Sequence, residues 1–188
     1  MAVDLAALLR RYRPERHSAP LRRRPAAALV QAGAGTARRI LLDTTAIIHD
    51  IGGRIPPGAA ALLDAALHFH CSVCLGEICA GVANYHPDAA NADQVRETYT
   101  ELMARIPPHR ILTPSPEDWA AAGLITGTLA RTQGLQRHQR KETLNDALIY
   151  LTAARYGLPV LTGNAGDFDL IQQVAGHGGF ICYDAVLG

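Results

Sequence analysis

Short apolar segments alternate with helix-length segments along residues 39–183, and no other feature of the chain constrains the fold as strongly. The apolar segments have the length of strands, and the connections between them are too long for hairpins. The predicted strands lie at about 39–43, 70–74, 111–112, 159–162 and 179–183. Strands joined in this way pair in parallel and are covered by helices on both faces. The sequence therefore predicts an α/β fold, a three-layer α/β/α sandwich around a mostly parallel sheet of about five strands.

The predicted helices lie between these strands, and some begin with clear signals. Ser115, followed by Pro116 and two acidic residues, predicts a helix start with Ser115 as the N-cap. Pro56 and Pro57 open an earlier helix in a similar way. We expect Glu77 in the first turn of the helix that follows the second strand. The remaining helices are predicted at about 92–105, 144–156 and 168–174.

Charge is distributed unevenly along the chain, although the net charge is only +1. Residues 1–39 hold nine arginines against two acidic residues, which gives +7, and residues 40–188 carry −6. With 188 residues and 48% hydrophobic content, the chain fits one domain with a buried core. We predict a basic arm at 1–38, partly helical or flexible, and a compact domain at 39–188. The arm is either an electrostatic handle for nucleic acid or an acidic surface, or a solubilising tail.

The composition disfavours membrane and secreted proteins. No apolar stretch reaches the roughly 20 residues that cross a bilayer, and the first residues do not read as a signal peptide, so we expect a cytoplasmic protein with no membrane partner. The four cysteines are predicted to be reduced, buried thiols. A zinc site in residues 68–74 is disfavoured because Cys71 and Cys74 would point to opposite faces of the second strand.

Four acidic residues stand where a predicted strand ends or the following helix begins: Asp43, Glu77, Asp146 and Asp167. The carboxyl ends of parallel strands meet at one edge of a sheet, and Asp146 can join them from a predicted helix N-terminus. Neighbouring carboxylates repel one another, and a hard divalent cation relieves that repulsion. We therefore predict that the four residues bind Mg²⁺ or Mn²⁺, as one ion or two, for hydrolysis of a phosphodiester.

The segments around these acids resemble the PIN-domain ribonucleases, and within that family the VapC toxins of bacterial toxin–antitoxin pairs. The resemblance covers about residues 40–183. It rests on Leu41-Leu42-Asp43-Thr44, on Ser72 to Ile78 with Gly81, on Asn145 to Ile149 with Ala153, and on Leu161 to Asn164 with Asp167-Phe168. The chain departs from the family in two ways: about 38 residues precede the first strand, and Thr45 stands where Asn or Ser is more usual.

The resemblance implies that the four acids are the metal-binding catalytic residues of a Mg²⁺- or Mn²⁺-dependent endoribonuclease. It implies that Thr44 orients Asp43 or a metal-bound water, and that Thr162 and Asn164 support the site from its edge. It also implies an RNA substrate, a homodimer and a cognate antitoxin whose peptide lies in the active-site groove. Two alternatives stay open: a non-catalytic RNA-binding or scaffolding PIN domain, and a Mg²⁺-dependent phosphohydrolase of small molecules.

Residues outside the four acids also receive predictions. The cationic run just before the third acid is predicted to hold RNA phosphates through Arg137, Arg140 and Lys141, with a solvated helix end as the alternative. Asp169 is predicted to face solvent, because it lies two residues after the fourth acid on a helix. Trp119 and the few tyrosines are not predicted to form a stacking platform for single-stranded RNA.

Overall fold

A computed structural model describes residues 3–33 and 37–186, and its centre is a five-stranded, fully parallel sheet. The strands are β1 Arg39–Leu42, β2 Leu67–Cys71, β3 Ile111–Leu112, β4 Val160–Thr162 and β5 Phe180–Cys182. They lie side by side in the order β3-β2-β1-β4-β5. The predicted α/β sandwich with about five parallel strands is confirmed.

Eight α-helices within the described residues accompany the sheet. They are α1 Leu5–Tyr12, α2 Thr44–Ile51, α3 Pro57–Ala65, α4 Ser72–Asn84, α5 Ala92–Arg105, α6 Pro116–Gln133, α7 Arg137–Arg155 and α8 Ala165–Ala175. The chain crosses the sheet in one direction from β1 to β3 and in the other from β3 to β5. Right-handed crossovers therefore place α2–α5 on one face of the sheet and α6–α8 on the other.

The strands are apolar because helices cover both of their faces. Ile40, Leu41, Val160 and Leu161 are all 0% exposed in the centre of the core. The strand order reverses between β1 and β4, which are paired with each other through Leu41 and Val160. In open parallel sheets the crevice at such a reversal is the usual place for a ligand, so residues that follow β1 and β4 are placed to meet there.

The second strand ends at Cys71 rather than at about residue 74. Ser72 begins α4, so Cys74 lies in the first turn of a helix and Glu77 in the second turn. A short apolar segment fits either a strand or a helix. Here the segment after Cys71 forms a helix, and this helix buries Cys74 in the core. The argument that Cys71 and Cys74 point to opposite faces of a strand is therefore wrong. The cysteines are free thiols and three are buried, but Cys79 is exposed, against prediction.

Helix starts also differ from the predictions. α7 begins at Arg137 rather than at about residue 144. At this start, Gln136 and Gln139 form a capping box in which each side chain bonds to the backbone of the other residue. The first turns of α7 carry polar side chains all round, so no apolar periodicity marks them. Asp146 consequently lies in the middle of a helix, and its predicted place at a helix N-terminus is wrong. The sequence predictions also omitted α2 and placed the start of α8 at 168.

The N-terminal arm packs against the domain. Leu8 and Tyr12 of α1 are 3% and 4% exposed, and α1 lies on α6. Arg131 of α6 donates to two backbone carbonyls of the arm. Further along, Gln31 forms a parallel β-bridge with Cys182 and covers the edge of β5. The arm therefore contacts the domain at both ends of its described length.

The division into residues 1–38 and 39–188 stays a prediction. Residues 1–2, 34–36 and 187–188 lie outside the part of the chain that the structure describes. Within residues 3–33 and 37–186, no helix combines the length and the apolar character needed to cross a membrane.

Arm residues Arg22–Arg24 run along α8, and we call this contact the arm seam. Asp169, which was predicted to face solvent, is 1% exposed in the arm seam. Its carboxylate accepts hydrogen bonds from Arg24 Nε at 2.5 Å, from the Arg24 backbone N–H at 2.7 Å and from Gln173 at 3.1 Å. The prediction is wrong because the arm covers this face of α8, and no local sequence pattern shows that a distant segment will do so.

Candidate metal centre

Four carboxylates surround the crevice between the ends of β1 and β4, and we call this group the acidic pocket. Its members are Asp43, Glu77, Asp146 and Asp167. Asp43 follows β1 directly, and Asp167 lies in the first turn of α8, just after β4. Glu77 comes from the second turn of α4, and Asp146 from the middle of α7. Four elements far apart in sequence thus supply the acids that the sequence singled out.

Asp43 is the most deeply buried member of the acidic pocket, at 2% exposed. Thr45 Oγ1 and Thr162 Oγ1 both donate to Asp43 Oδ2, at 2.6 and 2.8 Å. Burial raises the pKa of Asp43, the two hydroxyls partly offset that increase, and Glu77 adds to it. Among the described residues, no Arg, Lys or His forms an ion pair with Asp43. Asp43 is therefore a buried carboxylate whose partners are all neutral.

Asn164 connects two other members of the acidic pocket. Its Nδ2 donates to Asp146 Oδ2 at 3.3 Å and to Asp167 Oδ2 at 3.1 Å. Its backbone N–H donates to Thr162 Oγ1 at 2.8 Å, and that hydroxyl in turn donates to Asp43. The two residues predicted at the edge of the site, Thr162 and Asn164, thus link three of the four acids in one hydrogen-bonded chain.

Asp146 experiences the charge of every other member of the acidic pocket. Burial raises the pKa of Asp146 well above its usual range, and Asp43, Asp167 and Glu77 raise it further. Glu142, on the same helix, adds a smaller increase. This carboxyl group is therefore stabilised either by a proton or by a cation.

Glu77 is held by one neutral donor at each oxygen. Thr44 Oγ1 donates to Glu77 Oε2 at 2.5 Å, and Asn145 Nδ2 donates to Glu77 Oε1 at 2.7 Å. The structure thus places the Thr44 hydroxyl on Glu77, whereas Thr45 donates to Asp43. Because α2 begins at Thr44, successive side chains there turn by about 100°, which directs the two threonines to different acids.

A cation from the arm reaches the acidic pocket. Arg23 Nη2 lies 3.1 Å from Asp167 Oδ1, with the two side chains 63% and 43% exposed. Gly166 makes room for this contact, because a Cβ at that position would lie 2.8 Å from Arg23 Cζ. An ion pair this exposed is weak, so Asp167 remains accessible to a competing cation.

The donor set of the acidic pocket suits a hard divalent cation, which prefers carboxylate oxygens. Asp43 Oδ1 and Asp146 Oδ1 lie outside the side-chain hydrogen bonds described above, whereas neighbours hold oxygens of Glu77 and Asp167. Across the described residues, no group of three or more His, Cys, Asp or Glu is already arranged to enclose a metal ion. Asp43 and Asp146 therefore each have one oxygen outside these side-chain bonds, and an ion held by all four acids would require their side chains to rearrange.

The cationic run lies in the first turns of α7, and its three predicted RNA-binding residues are all exposed. Arg140 Nε donates to the Leu135 carbonyl at 3.0 Å, which turns its guanidinium back onto the chain. Lys141 lines a cleft that also contains Glu77. Of Arg137, Arg140 and Lys141, the structure thus places Lys141 beside a member of the acidic pocket.

Sequence reasoning missed three residues that contact the acidic pocket. Thr45 was noted only as a departure from a family pattern, although a hydroxyl two residues after a strand-end acid is a detectable signal. Asn145 directly precedes Asp146, so its proximity to the site was also detectable. Arg23 lies 144 residues from its partner Asp167, and no local pattern indicates that contact.

Comparison with known protein families gives one match. The model of the PIN domain family matches residues 40–173. This range contains all four members of the acidic pocket and most of the sheet. Among curated proteins, no match was found.

Solved structures with a similar fold come from several bacteria. VapBC2 from Rickettsia felis, bound to a DNA fragment from its promoter, gives a TM-score of 0.55 at 19% identity, covering 78% of this chain and 99% of that chain. FitAcB from Neisseria gonorrhoeae gives a TM-score of 0.55 at 24% identity, covering 76% of this chain and 96% of that chain. DNA-bound VapBC from Salmonella typhimurium gives a TM-score of 0.52 at 20% identity, covering 79% of this chain and 98% of that chain. At these identities the likeness shows a shared fold.

Proposed function

We propose that this chain, which belongs to the PIN domain family, is a metal-dependent endoribonuclease. PIN domains are generally nucleases, and these nucleases generally use divalent metal ions. The observation that carries the proposal is the environment of Asp43, which is 2% exposed, accepts hydrogen bonds from two neutral threonine hydroxyls and forms no ion pair with a described Arg, Lys or His. An ionised carboxylate in such a place is costly unless a cation pairs with it.

The chain's own residues would hold the ion and orient the acids. Asp43, Glu77, Asp146 and Asp167 would hold Mg²⁺ or Mn²⁺. When bound, the ion supplies a water of lowered pKa and offsets negative charge on the phosphoryl oxygens. The hydroxyls of Thr45 and Thr162 fix the orientation of the Asp43 carboxylate. The Asn164 amide donates to Asp146 and Asp167 and offsets part of the repulsion between them.

One of the four carboxylates would also polarise the attacking water. The Asn164 amide donates to Asp146 Oδ2 and so orients this carboxylate in the acidic pocket.

The proposed substrate is RNA, held through its phosphates. The exposed side chains of Arg137 and Lys141 lie on the first turns of the helix that carries Asp146. Cations at this place would neutralise phosphates on either side of the bond that is cut, without reading the base sequence.

The cleavage assay uses the purified full chain and total RNA. We expect new RNA 5′ ends with Mg²⁺ or Mn²⁺, none with EDTA, and none with Asp146→Asn. Asp64→Asn is the matched control, because Asp64 is an exposed acid on α3, outside the acidic pocket. If RNA binds but stays intact with both ions, the protein is a non-catalytic RNA-binding PIN domain. If small phosphomonoesters are hydrolysed instead, it is a small-molecule phosphohydrolase.

We also propose that this nuclease is the cytoplasmic toxin of a toxin–antitoxin pair, that it forms a homodimer, and that a cognate antitoxin inhibits it. The resemblance to the VapC toxins and the fold shared with the VapBC and FitAcB structures support this proposal. Light scattering of the purified chain should give twice the monomer mass. Co-expression with the product of a small neighbouring reading frame should abolish cleavage, and unchanged cleavage would contradict the assignment.

A further inference from the structure

A cleft of about 390 Å³ adjoins the acidic pocket, and we call it the tryptophan cleft. It lies between α4 and the first turns of α6 and α7, beyond the carboxyl end of β3. Its lining includes Glu77, Asn145, Trp119 and Lys141. Because Glu77 belongs to both, a molecule in the tryptophan cleft lies directly beside the proposed catalytic site.

We propose that the tryptophan cleft binds a nucleobase of the single-stranded substrate, stacked on Trp119, next to the phosphate that is cut. The proposal rests on the nuclease function proposed above and specifies how its substrate is held. It also revises the sequence-based expectation that Trp119 does not serve as a stacking surface.

The first support is the placement of Trp119. The residue is 52% exposed, although tryptophan has a large apolar surface that water solvates poorly. It lies in the first turn of α6, in the wall of the cleft. An indole face at the side of a cleft is the surface on which nucleobases stack, whatever their sequence.

The second support is the rigidity of the backbone beneath Trp119. The Ser115 hydroxyl accepts from the Asp118 N–H at 3.1 Å, and the Asp118 carboxylate accepts from the Ser115 N–H at 2.8 Å. Arg155 Nε donates to the same carboxylate at 2.9 Å and ties this turn to α7. A turn fixed from two sides holds the backbone of Trp119 in place, so little backbone entropy is lost when a base stacks on the indole.

The third support is the shape and chemistry of the opposite wall. A Cβ added at Gly76 of α4 would meet no atom within 4 Å, so this wall is open where a side chain would otherwise project. Val73, Ala80 and Pro114 give the cleft apolar surface, and Lys141 adds a cation at its edge. A partly apolar cleft with a cation at its edge fits a base attached to a phosphate.

A direct test uses tryptophan emission, because Trp119 is the chain's single tryptophan. The full chain is titrated in EDTA, which prevents metal-dependent cleavage, with a short single-stranded oligoribonucleotide. We expect saturable quenching of the emission. An abasic ribose-phosphate strand of the same length should bind more weakly and leave the emission unchanged. If labelled RNA binds by anisotropy while the emission stays constant, or if the abasic strand quenches equally, the proposal is overturned.

Variants separate stacking from general RNA affinity. Trp119→Ala should weaken oligonucleotide binding by about 5- to 100-fold, and Trp119→Phe should retain most of it. Gly76→Leu, whose Cβ would meet no atom within 4 Å, should fill part of the cleft and weaken binding similarly. Gly127→Leu is the matched control, since Gly127 is also an exposed helical glycine with open space around it. Equal affinities for all four variants would overturn the proposal.

These binding measurements and the cleavage assay test different proposals, so one proposal can be wrong while the other is right. Quenching without metal-dependent cleavage would keep the nucleobase site and remove the nuclease function. Cleavage with unchanged affinity in Trp119→Ala would keep the nuclease and remove the nucleobase site. If Trp119→Ala leaves RNA binding intact but converts a homodimer to a monomer in light scattering, the cleft is a protein interface and the proposal is wrong.

Discussion

The acidic pocket and the arm seam each bury an aspartate, but they stabilise it in different ways. Asp43 is 2% exposed and Asp169 is 1% exposed, so both lose nearly all contact with water. Asp169 receives a guanidinium from Arg24 as well as two further N–H donors. Asp43 receives two neutral hydroxyls from Thr45 and Thr162.

This difference is what we expect between a structural carboxylate and one that binds a metal ion. In the arm seam the chain supplies its own cation, and the buried ion pair fastens the arm to α8. In the acidic pocket the chain supplies orientation but no cation for Asp43 among the described residues. We therefore expect this buried, oriented acid to bind a cation from solution.

The largest effect is expected from Asp43→Asn. The amide can still accept the two threonine hydrogen bonds, but it lacks the charge that attracts a divalent ion. We expect RNA cleavage to fall at least about 100-fold, because loss of a metal ligand removes several kcal/mol of transition-state stabilisation. In EDTA the free energy of unfolding should rise, since a buried, unpaired carboxylate is gone. Normal cleavage by this variant, measured at several Mn²⁺ concentrations, would contradict the assignment.

Asp169→Asn should change stability in the opposite direction. It leaves Arg24 without its anionic partner, and we expect the free energy of unfolding to fall by about 1–3 kcal/mol in urea titrations. The loss is smaller than for a fully buried pair because the Arg24 side chain is 38% exposed. Asp93→Asn is the control, because Asp93 forms an exposed pair with Arg96 and should change stability very little. If Asp169→Asn and Asp43→Asn shift stability in the same direction, the comparison fails.

The fold was largely predictable because its governing pattern is local. Strands buried on both faces have to be apolar, and long connections between them require parallel pairing, so the sandwich followed from segment lengths. The start of α7 was not predictable, because Arg137 and the residues after it are exposed and polar. The predicted position of β2 was about three residues too late, because an apolar segment that contains Cys71 and Cys74 fits a strand as well as a helix.

The candidate site also has a part that the sequence predicted, the four acids, and a part that it did not, their hydrogen bonds. Local context identified all four acids as candidates, although Asp146 lies in the middle of α7, the second helix after β3. The hydrogen bonds depended on elements that the sequence did not reveal: without α2, the different directions of Thr44 and Thr45 could not be foreseen. The burial of Asp169 and the approach of Arg23 depend on how the arm folds back, which no local pattern specifies.

The pH dependence of stability sharpens the comparison further. Burial raises the pKa of Asp43 above the ordinary value of 3.8, so the folded protein binds this proton more tightly than the unfolded chain does. The contribution of Asp43 to stability is therefore full below about pH 4 and is lost as pH rises through the folded pKa. The slope for one proton is at most about 1.4 kcal/mol per pH unit.

Urea titrations of the wild type and Asp43→Asn in EDTA, from about pH 4 to pH 8, test this prediction. The stability difference should grow in favour of the variant as pH rises, and excess Mg²⁺ should diminish it. His70, whose pKa is lowered to about 4 by burial, has the opposite slope between about pH 4 and pH 6.5, but it is present in both proteins and cancels. Parallel pH profiles in EDTA would contradict the assigned proton affinity of Asp43.

The smallest effect is expected where the two regions meet, at the pair between Arg23 and Asp167. Arg23 occupies one Asp167 oxygen, and a cation that uses this oxygen has to displace the guanidinium. An exposed pair is worth at most about 1 kcal/mol, so Arg23→Ala should tighten Mn²⁺ binding by no more than about fivefold in calorimetric titrations.

Arg22→Ala provides the matched control for this last prediction. It removes the same charge from the arm, but Arg22 contacts α8 through its backbone carbonyl, which accepts from Gln173 and is retained in the variant. If both variants tighten Mn²⁺ binding equally, the arm acts only through its overall charge. If Arg23→Ala alone does so, the arm competes directly for Asp167, and the residues that fasten the arm seam also set how readily the acidic pocket accepts its ion.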